Sequence, residues 1–211
     1  TLAHGDAVCQ TAHRADCPFP QEMRYELPGL VIDNCAMAGR SSKTFREEGR
    51  LDDIAAHIRP GDLLVVSFGH NDANRAKAER YVPADAFGES LRPFWDAARS
   101  HGAVCIFASP VAMREFDEAG VCHPSFAAYR EAMRAFAAEV GAPFIDLGAA
   151  TAAANTAFGA ERCKARYMWV GAKQDNAHQQ NAGACRTAQA FVQQLLQDTT
   201  PALDVLRANF R

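Results

Sequence analysis

The chain has 211 residues, 48% of them hydrophobic. That is enough for one well-buried domain spanning residues 1–211 and too little for two of ordinary size. Charged residues make up 22% and the formal net charge is -3, a balance that argues against a nucleic-acid partner, which would call for a basic face. No apolar run reaches the ~18 residues of a membrane-spanning helix, so no membrane partner is expected.

In chain order, residues 1–4 read as the end of a strand that runs into a Gly5-Asp6 turn. Residues 29–33, 62–68, 103–108 and 143–147 read as further buried strands. Each is short, rich in β-formers and bounded by Gly, Pro or Asp. Helical patterns lie between them. Leu51 to Ile58 is followed by the stop signal Pro60-Gly61, and Asp85 to Ser100 carries Phe87, Leu91, Phe94 and Trp95. Ser125 to Val140 is expected to be capped by Ser125, to end at Gly141 and to place Phe126, Met133, Phe136 and Val140 on one face. A last helix over 182–197 stripes Ala184, Ala188, Phe191 and Leu195. The short basic group Arg75, Lys77 and Arg80, interrupted by alanine and glutamate, reads as solvated surface.

Strand alternating with helix predicts an α/β chain with a parallel sheet covered on both faces, a three-layer α/β/α domain. In such a sheet the chemistry collects beyond the carboxyl ends of the strands.

Seven cysteines are present, Cys9, Cys17, Cys35, Cys105, Cys122, Cys163 and Cys185. The number is odd and no pair has C-x-x-C spacing. Most are expected to be reduced thiols in a reducing compartment, with a Cys163–Cys185 disulfide left open because that segment reads as a loop. The chain opens with Thr1-Leu2-Ala3-His4 and shows no basic-then-apolar leader, which points to the cytoplasm unless a leader has been removed. The histidines outside the blocks described next show no ligand spacing, so neither a metal nor another cofactor is expected.

Four blocks follow the strand ends: Gly5-Asp6-Ala7, Gly39-Arg40-Ser41-Ser42, Phe68-Gly69-His70-Asn71-Asp72 and Asp175-Asn176-Ala177-His178. In this order they resemble the four blocks of the SGNH (GDSL) hydrolase superfamily. The second and third resemble its rhamnogalacturonan acetylesterase branch most closely. The resemblance runs from about residue 1 to residue 197. It implies the flavodoxin-like fold of that superfamily, with a five-stranded parallel sheet. It further implies a carbohydrate O-acetylesterase, with an acetylated pectic or hemicellulosic oligosaccharide as the partner. The oxyanion that forms in acyl transfer needs donors placed in advance. The family pattern carries these over to the backbone N–H of Ala7, the backbone N–H of Gly39 and the side-chain amide of Asn71. His178 takes the place of the general base and Asp175 that of the group that holds its tautomer.

The departure is at the nucleophile. The family pattern has serine where this chain has Ala7. A methyl group cannot attack a carbonyl, and neither Cys9 nor Thr11 is a convincing replacement. Two explanations stay open: a deliberate Ser→Ala change that traps substrate, and a natural, non-catalytic glycan-binding relative. Asp6, Arg40, His70, Arg114 and Trp169 flank the blocks and are candidates for touching substrate. Asp6 can also brace its turn, Arg40 pair with Glu47 or Glu48, His70 brace its loop and Trp169 pack, while Arg114 is a candidate for meeting a uronic-acid carboxylate. The sequence leaves open which sugar is bound, whether water or another sugar accepts the acyl group, and whether the protein is a dimer.

Overall fold

A computed structural model describes residues 34–208. The chain forms two compact units that alternate along the sequence. Among the described residues, one contains 39–110 and 126–146, and the other contains 34–38, 111–125 and 147–208.

The first unit is an α/β layer around a parallel sheet. It begins with α1 (Ser42–Glu47) and α2 (Arg50–Ala55). A capping box starts α1: the Ser41 hydroxyl accepts from the Thr44 N–H at 3.2 Å, and the Ser41 N–H donates to Thr44 Oγ1 at 2.9 Å. Then come β1 (Leu63–Val66), α3 (Ala84–Ser100), β2 (Val104–Ala108), α4 (Ala127–Val140) and β3 (Phe144–Ile145). The strand order is β1-β2-β3 and both pairings are parallel, with Val66 opposite Phe107 and Ala108 opposite Ile145. Parallel neighbours need a crossover, and α3 and α4 supply one each. Ile106, Phe107 and Ala108 are buried, as expected of a strand covered on both faces. Helix α3 buries Phe87, Leu91, Phe94 and Ala98 along one stripe. Phe94 meets Phe68 and Phe45 at ring separations of 5.1 and 6.1 Å.

Three of the five expected strands are therefore seen and pair in parallel. The other two, at residues 1–4 and 29–33, lie outside the described residues. One helix start differs from expectation. Ser125 does not cap α4, because its hydroxyl accepts from the Met113 N–H at 2.9 Å. The helix begins after Phe126, which at φ 54 is the one non-glycine residue with positive φ among the described residues. The buried face of α4 is accordingly Tyr129, Met133, Phe136 and Ala137.

The second unit holds α5 (Leu147–Phe158), α6 (Ala160–Cys163), a 3-10 turn over Lys164–Arg166, β4 (Tyr167–Val170), β5 (Lys173–Gln179) and α7 (Asn181–Gln197). A 3-10 turn over Pro201–Leu203 and α8 (Asp204–Ala208) follow. Tyr167 is fully buried, and its hydroxyl donates to the Ala112 carbonyl at 2.6 Å while accepting from the Asn155 amide at 2.9 Å. Helix α7 lies so close to the Arg166 carbonyl that a Cβ at Gly183 would sit 2.2 Å from the oxygen. Only glycine fits there. Segment 163–185, read as a loop, is thus mostly hairpin and helix. Cys163 is a buried thiol and Cys185 an exposed one, and no disulfide joins them. None of the described helices is long and apolar enough to cross a membrane.

In the first unit one side chain ties the loops beyond the sheet together. Asp72 is fully buried, and its carboxylate accepts from Ser42 N at 2.9 Å, Ser42 Oγ at 2.6 Å and Gly69 N at 2.9 Å. Burial pushes its carboxyl above the ordinary aspartate range, outweighing the hydrogen bonds that favour the charged form. The staple has a measurable consequence. Asp72→Ala leaves the Ser42 and Gly69 N–H groups without their acceptor, at about 1–3 kcal/mol each. Urea unfolding of the whole chain should therefore show a loss on the order of 3 kcal/mol; a loss under about 1 kcal/mol would remove Asp72 as the tie.

Candidate active site

In the first unit, Gly39 and Asn71 stand on the two segments that Asp72 joins. Gly39 has φ 75, a left-handed conformation that a side chain would strain. Gly69 has φ 129, and a Cβ there would fall 2.5 Å from the Pro110 ring. This close approach fixes the turn that presents His70 and Asn71. The Asn71 amide is held on both sides. Its Oδ1 accepts from Arg80 Nη1 at 2.9 Å and its Nδ2 donates to the Arg40 carbonyl at 3.2 Å.

Arg40 directs its Nε to Glu48, at 2.9 and 3.1 Å from the two carboxylate oxygens. Arg50 reaches the same carboxylate at 2.6 Å. The Arg50 bond first, then those of Arg40, hold the Glu48 carboxyl below its usual range. Of the two roles weighed for Arg40, the structure displays the pairing with an acid. His70 packs its ring on Phe126 at 4.6 Å, a brace for the loop. Arg80, read from the sequence as solvated surface, instead turns inward onto Gly39 and Asn71.

In the second unit, Asp175 and His178 lie on β5, in a hairpin whose turn contains Gly171 at φ 58. They were expected on a loop, and the register shows why that reading was close. Val170 pairs with Lys173, Trp169 with Gln174, and Tyr167 with Gln179. Residues 175–178 thus face Met168 alone, an outsized bulge. The bulge is closed by Asp175. Its Oδ1 accepts from the N–H groups of Ala177 at 2.8 Å and His178 at 2.9 Å, and its Oδ2 lies 2.7 Å from His178 Nδ1. Burial pushes the Asp175 carboxyl up. The bonds from the His178 N–H, the Ala177 N–H and the His178 ring together outweigh it, so the carboxyl ends below the ordinary aspartate range.

A carboxylate can only accept, so His178 carries its proton on Nδ1 toward Asp175. The lone pair of the neutral ring is then on Nε2, the atom that takes a proton in acyl transfer.

Asn176, which the sequence reading passed over, anchors the bulge from its other side. Its Oδ1 accepts from Trp169 Nε1 at 2.9 Å and from Arg114 Nη1 at 3.2 Å, and its carbonyl accepts from the Arg114 N–H at 2.7 Å. The rest of the Arg114 guanidinium donates to the Ala160 carbonyl at 2.9 and 3.1 Å, and its centre lies 4.7 Å from the Trp169 ring. In this structure the polar atoms of Arg114 and Trp169, both candidates for touching substrate, are engaged by Asn176 in the bulge and by the Ala160 carbonyl. The signal for Asn176 was its place inside the Asp-x-x-His block. Ala7 and Asp6 lie outside the described residues. Among the described residues, no group of three or more His, Cys, Asp or Glu is placed to hold a metal ion.

Residues 3–184 match the GDSL-like Lipase/Acylhydrolase family. The chain belongs to this family. Its relatives place it in the rhamnogalacturonan acetylesterase-like branch. Rhamnogalacturonan acetylesterase RhgT of Bacillus subtilis is 35% identical over 84% of this chain and 79% of its own length. The crystal structure of protein YxiM from the same organism is 28% identical and superposes with a TM-score of 0.73, covering 83% of this chain. The chain spans half the length of that protein. Axe2, an acetylxylan esterase from Geobacillus stearothermophilus, shares the fold at a TM-score of 0.62 and 18% identity, covering 88% of this chain and 77% of its own. The fold is therefore the α/β fold of the SGNH hydrolases.

The lowered carboxyl of Asp175 sets a pH dependence. Because its folded-state value lies below the unfolded one, the ionised group contributes stability that is present above the unfolded aspartate value. That stability is lost as pH falls through the lowered value. The difference in Tm between the chain and its Asp175→Asn variant should be open at neutral pH and close in acid below the ordinary aspartate range. A difference that is the same at every pH would mean the ionised carboxylate is not what holds the bulge.

Proposed function

We propose that the chain is a carbohydrate O-acetylesterase of the SGNH type whose position 7 carries alanine in place of the nucleophilic serine. The observation that carries this reading is the Asp175–His178 pair, held at 2.7 Å in a bulge. The sequence similarity to a rhamnogalacturonan acetylesterase over most of both chains supports it. Acetylated fragments of rhamnogalacturonan are the substrate class it favours, with acetylated xylan fragments next.

With serine at position 7, the hydroxyl attacks the acetyl carbonyl while His178 Nε2 takes its proton. The tetrahedral oxyanion is held by the N–H groups of residues 7 and 39 and by the Asn71 amide. Collapse breaks the bond to the sugar oxygen, which takes the proton from His178 and departs as the hydroxyl, and an acetyl-enzyme remains. Water, activated by the same base, then releases acetate and restores the serine. Asp175 keeps the ring in the tautomer these steps need and stabilises its charged form. With Ala7, the base and the donors remain while the covalent step is lost, so the chain binds its ester without turning it over. Alanine at position 7 also supports a second reading, a natural glycan-binding relative without turnover.

Ala7→Ser separates the two. Loss of a triad member costs roughly 10⁴- to 10⁶-fold in turnover, so the serine variant should gain hydrolysis of an aryl acetate on that scale. A correctly folded variant with no gain on any acetyl ester would sink the esterase reading and leave the binding module. In the serine background, Asn71→Ala should lower kcat by roughly 10²- to 10³-fold. An unchanged kcat would take Asn71 out of the oxyanion hole.

A further inference from the structure

Arg80 sits at the end of a series of turns that follows Asn71. The N–H of Asn74 donates to the Asn71 carbonyl, that of Lys77 to Asn74, and those of Arg80 and Tyr81 to Lys77. The Val82 N–H closes the series on the Asp72 carbonyl at 3.0 Å, and the Tyr129 hydroxyl holds the Val82 carbonyl at 2.7 Å. The segment is thereby folded back so that the Arg80 side chain, 22% exposed, points at the turn it came from. Lys77 is exposed and Arg75 lies over the Tyr81 ring, so these two remain on the surface.

A single nitrogen, Arg80 Nη1, reaches both the Gly39 carbonyl and Asn71 Oδ1, each at 2.9 Å. That nitrogen carries two hydrogens, one for each acceptor. A guanidinium has no acceptor, so it decides which way round the Asn71 amide lies. The oxygen must face Arg80, and the nitrogen is turned to the opposite side, toward the Arg40 carbonyl. An amide nitrogen has two hydrogens, of which the Arg40 carbonyl takes one. The other bond from Nη1 fixes one of the two peptide planes flanking Gly39. Gly39 is held there in the left-handed conformation, where glycine has the most backbone freedom to lose.

We propose that Arg80 is the positioning residue of the oxyanion hole: through one nitrogen it locks the donor side of the Asn71 amide and the turn at Gly39. It touches no reacting atom and acts through Asn71 and Gly39. Its effect on catalysis rests on the esterase reading given above; its effect on the orientation of Asn71 does not. The guanidinium also differs from an ammonium in presenting its donors in a rigid plane, so lysine is an imperfect replacement.

Two measurements test it. The first needs no activity and uses the chain with Ala7. The side-chain amide signals of Asn71, assigned by their loss in Asn71→Ala, are followed by ¹H–¹⁵N NMR in the chain and in Arg80→Met. Release of the amide should move or broaden them, and unchanged signals overturn the proposal. The second uses the Ala7→Ser background with an aryl acetate. Arg80→Met should lower kcat roughly 10- to 100-fold, less than outright removal of a donor, with KM within about twofold. In the Asn71→Ala background most of that loss should vanish, because the two residues act as a unit. An equal loss in both backgrounds would mean that Arg80 acts independently of Asn71, and overturns the proposal. Should Arg80→Met fail to fold, Arg80→Lys replaces it in both experiments, with an intermediate loss expected and wild-type behaviour counting against the proposal. If the NMR signals move but Ala7→Ser hydrolyses no acetyl ester, the lock on Asn71 stands and the esterase reading falls.

Discussion

The burial of the Asp72 carboxylate is the constraint on which the loops of the first unit that carry Gly39 and Asn71 depend. A carboxylate with no exposed surface is costly unless donors meet it, and here Ser42 and Gly69 supply three. Those donors come from the start of α1 and from the turn after β1, so satisfying the carboxylate pins both segments. Gly39 and Asn71 inherit their positions from that tie. Arg80 then works on atoms already brought close, and needs a single nitrogen to bridge them. Burial raises the Asp72 carboxyl, so desolvation is the larger effect and the hydrogen bonds only partly offset it.

The second unit solves a related problem with a strand. A regular hairpin would alternate its side chains across the two faces. Four residues set opposite Met168 break that alternation and allow Asp175 to curl back onto the N–H groups of Ala177 and His178. The carboxylate thereby satisfies backbone donors that the interrupted ladder would leave unpaired, and one of its oxygens remains for the imidazole. Asn176 faces Trp169 and Arg114, so the bulge is anchored at its middle as well as at its ends.

One device appears twice. The Asn71 amide and the His178 ring both look nearly the same when turned over, and their chemistry depends on which way they lie. Each is oriented by a neighbour with one possible role. The Arg80 guanidinium can only donate, so it must meet the Asn71 oxygen. The Asp175 carboxylate can only accept, so it must meet the His178 N–H. Groups with fixed hydrogen-bonding polarity set the groups that have a choice.

The sequence by itself determined the alternation of strand and helix, the parallel sheet, and the four blocks that mark the family. These follow from apolar periodicity and from residues near in sequence, whose relations survive without a fold. Gly39, Asn71, Asp175 and His178 can be picked out as candidate site residues for that reason, and the alanine at position 7 is plain in the sequence alone. Other roles needed the tertiary structure. Arg80 reads as one member of an exposed basic group because its acceptors at Gly39 and Asn71 are brought to it only by successive turns and by Asp72. Ser125 has the right chemistry for a helix cap, but a donor from Met113 claims its hydroxyl and the helix starts after Phe126. Arg114 and Trp169 look free to meet a ligand until Asn176 and Ala160 are seen to occupy them. In each case the side chain's type states what it can bond to. Which partner it meets is decided by long-range contacts, because a donor or acceptor goes to the group that the folded chain places within about 3 Å.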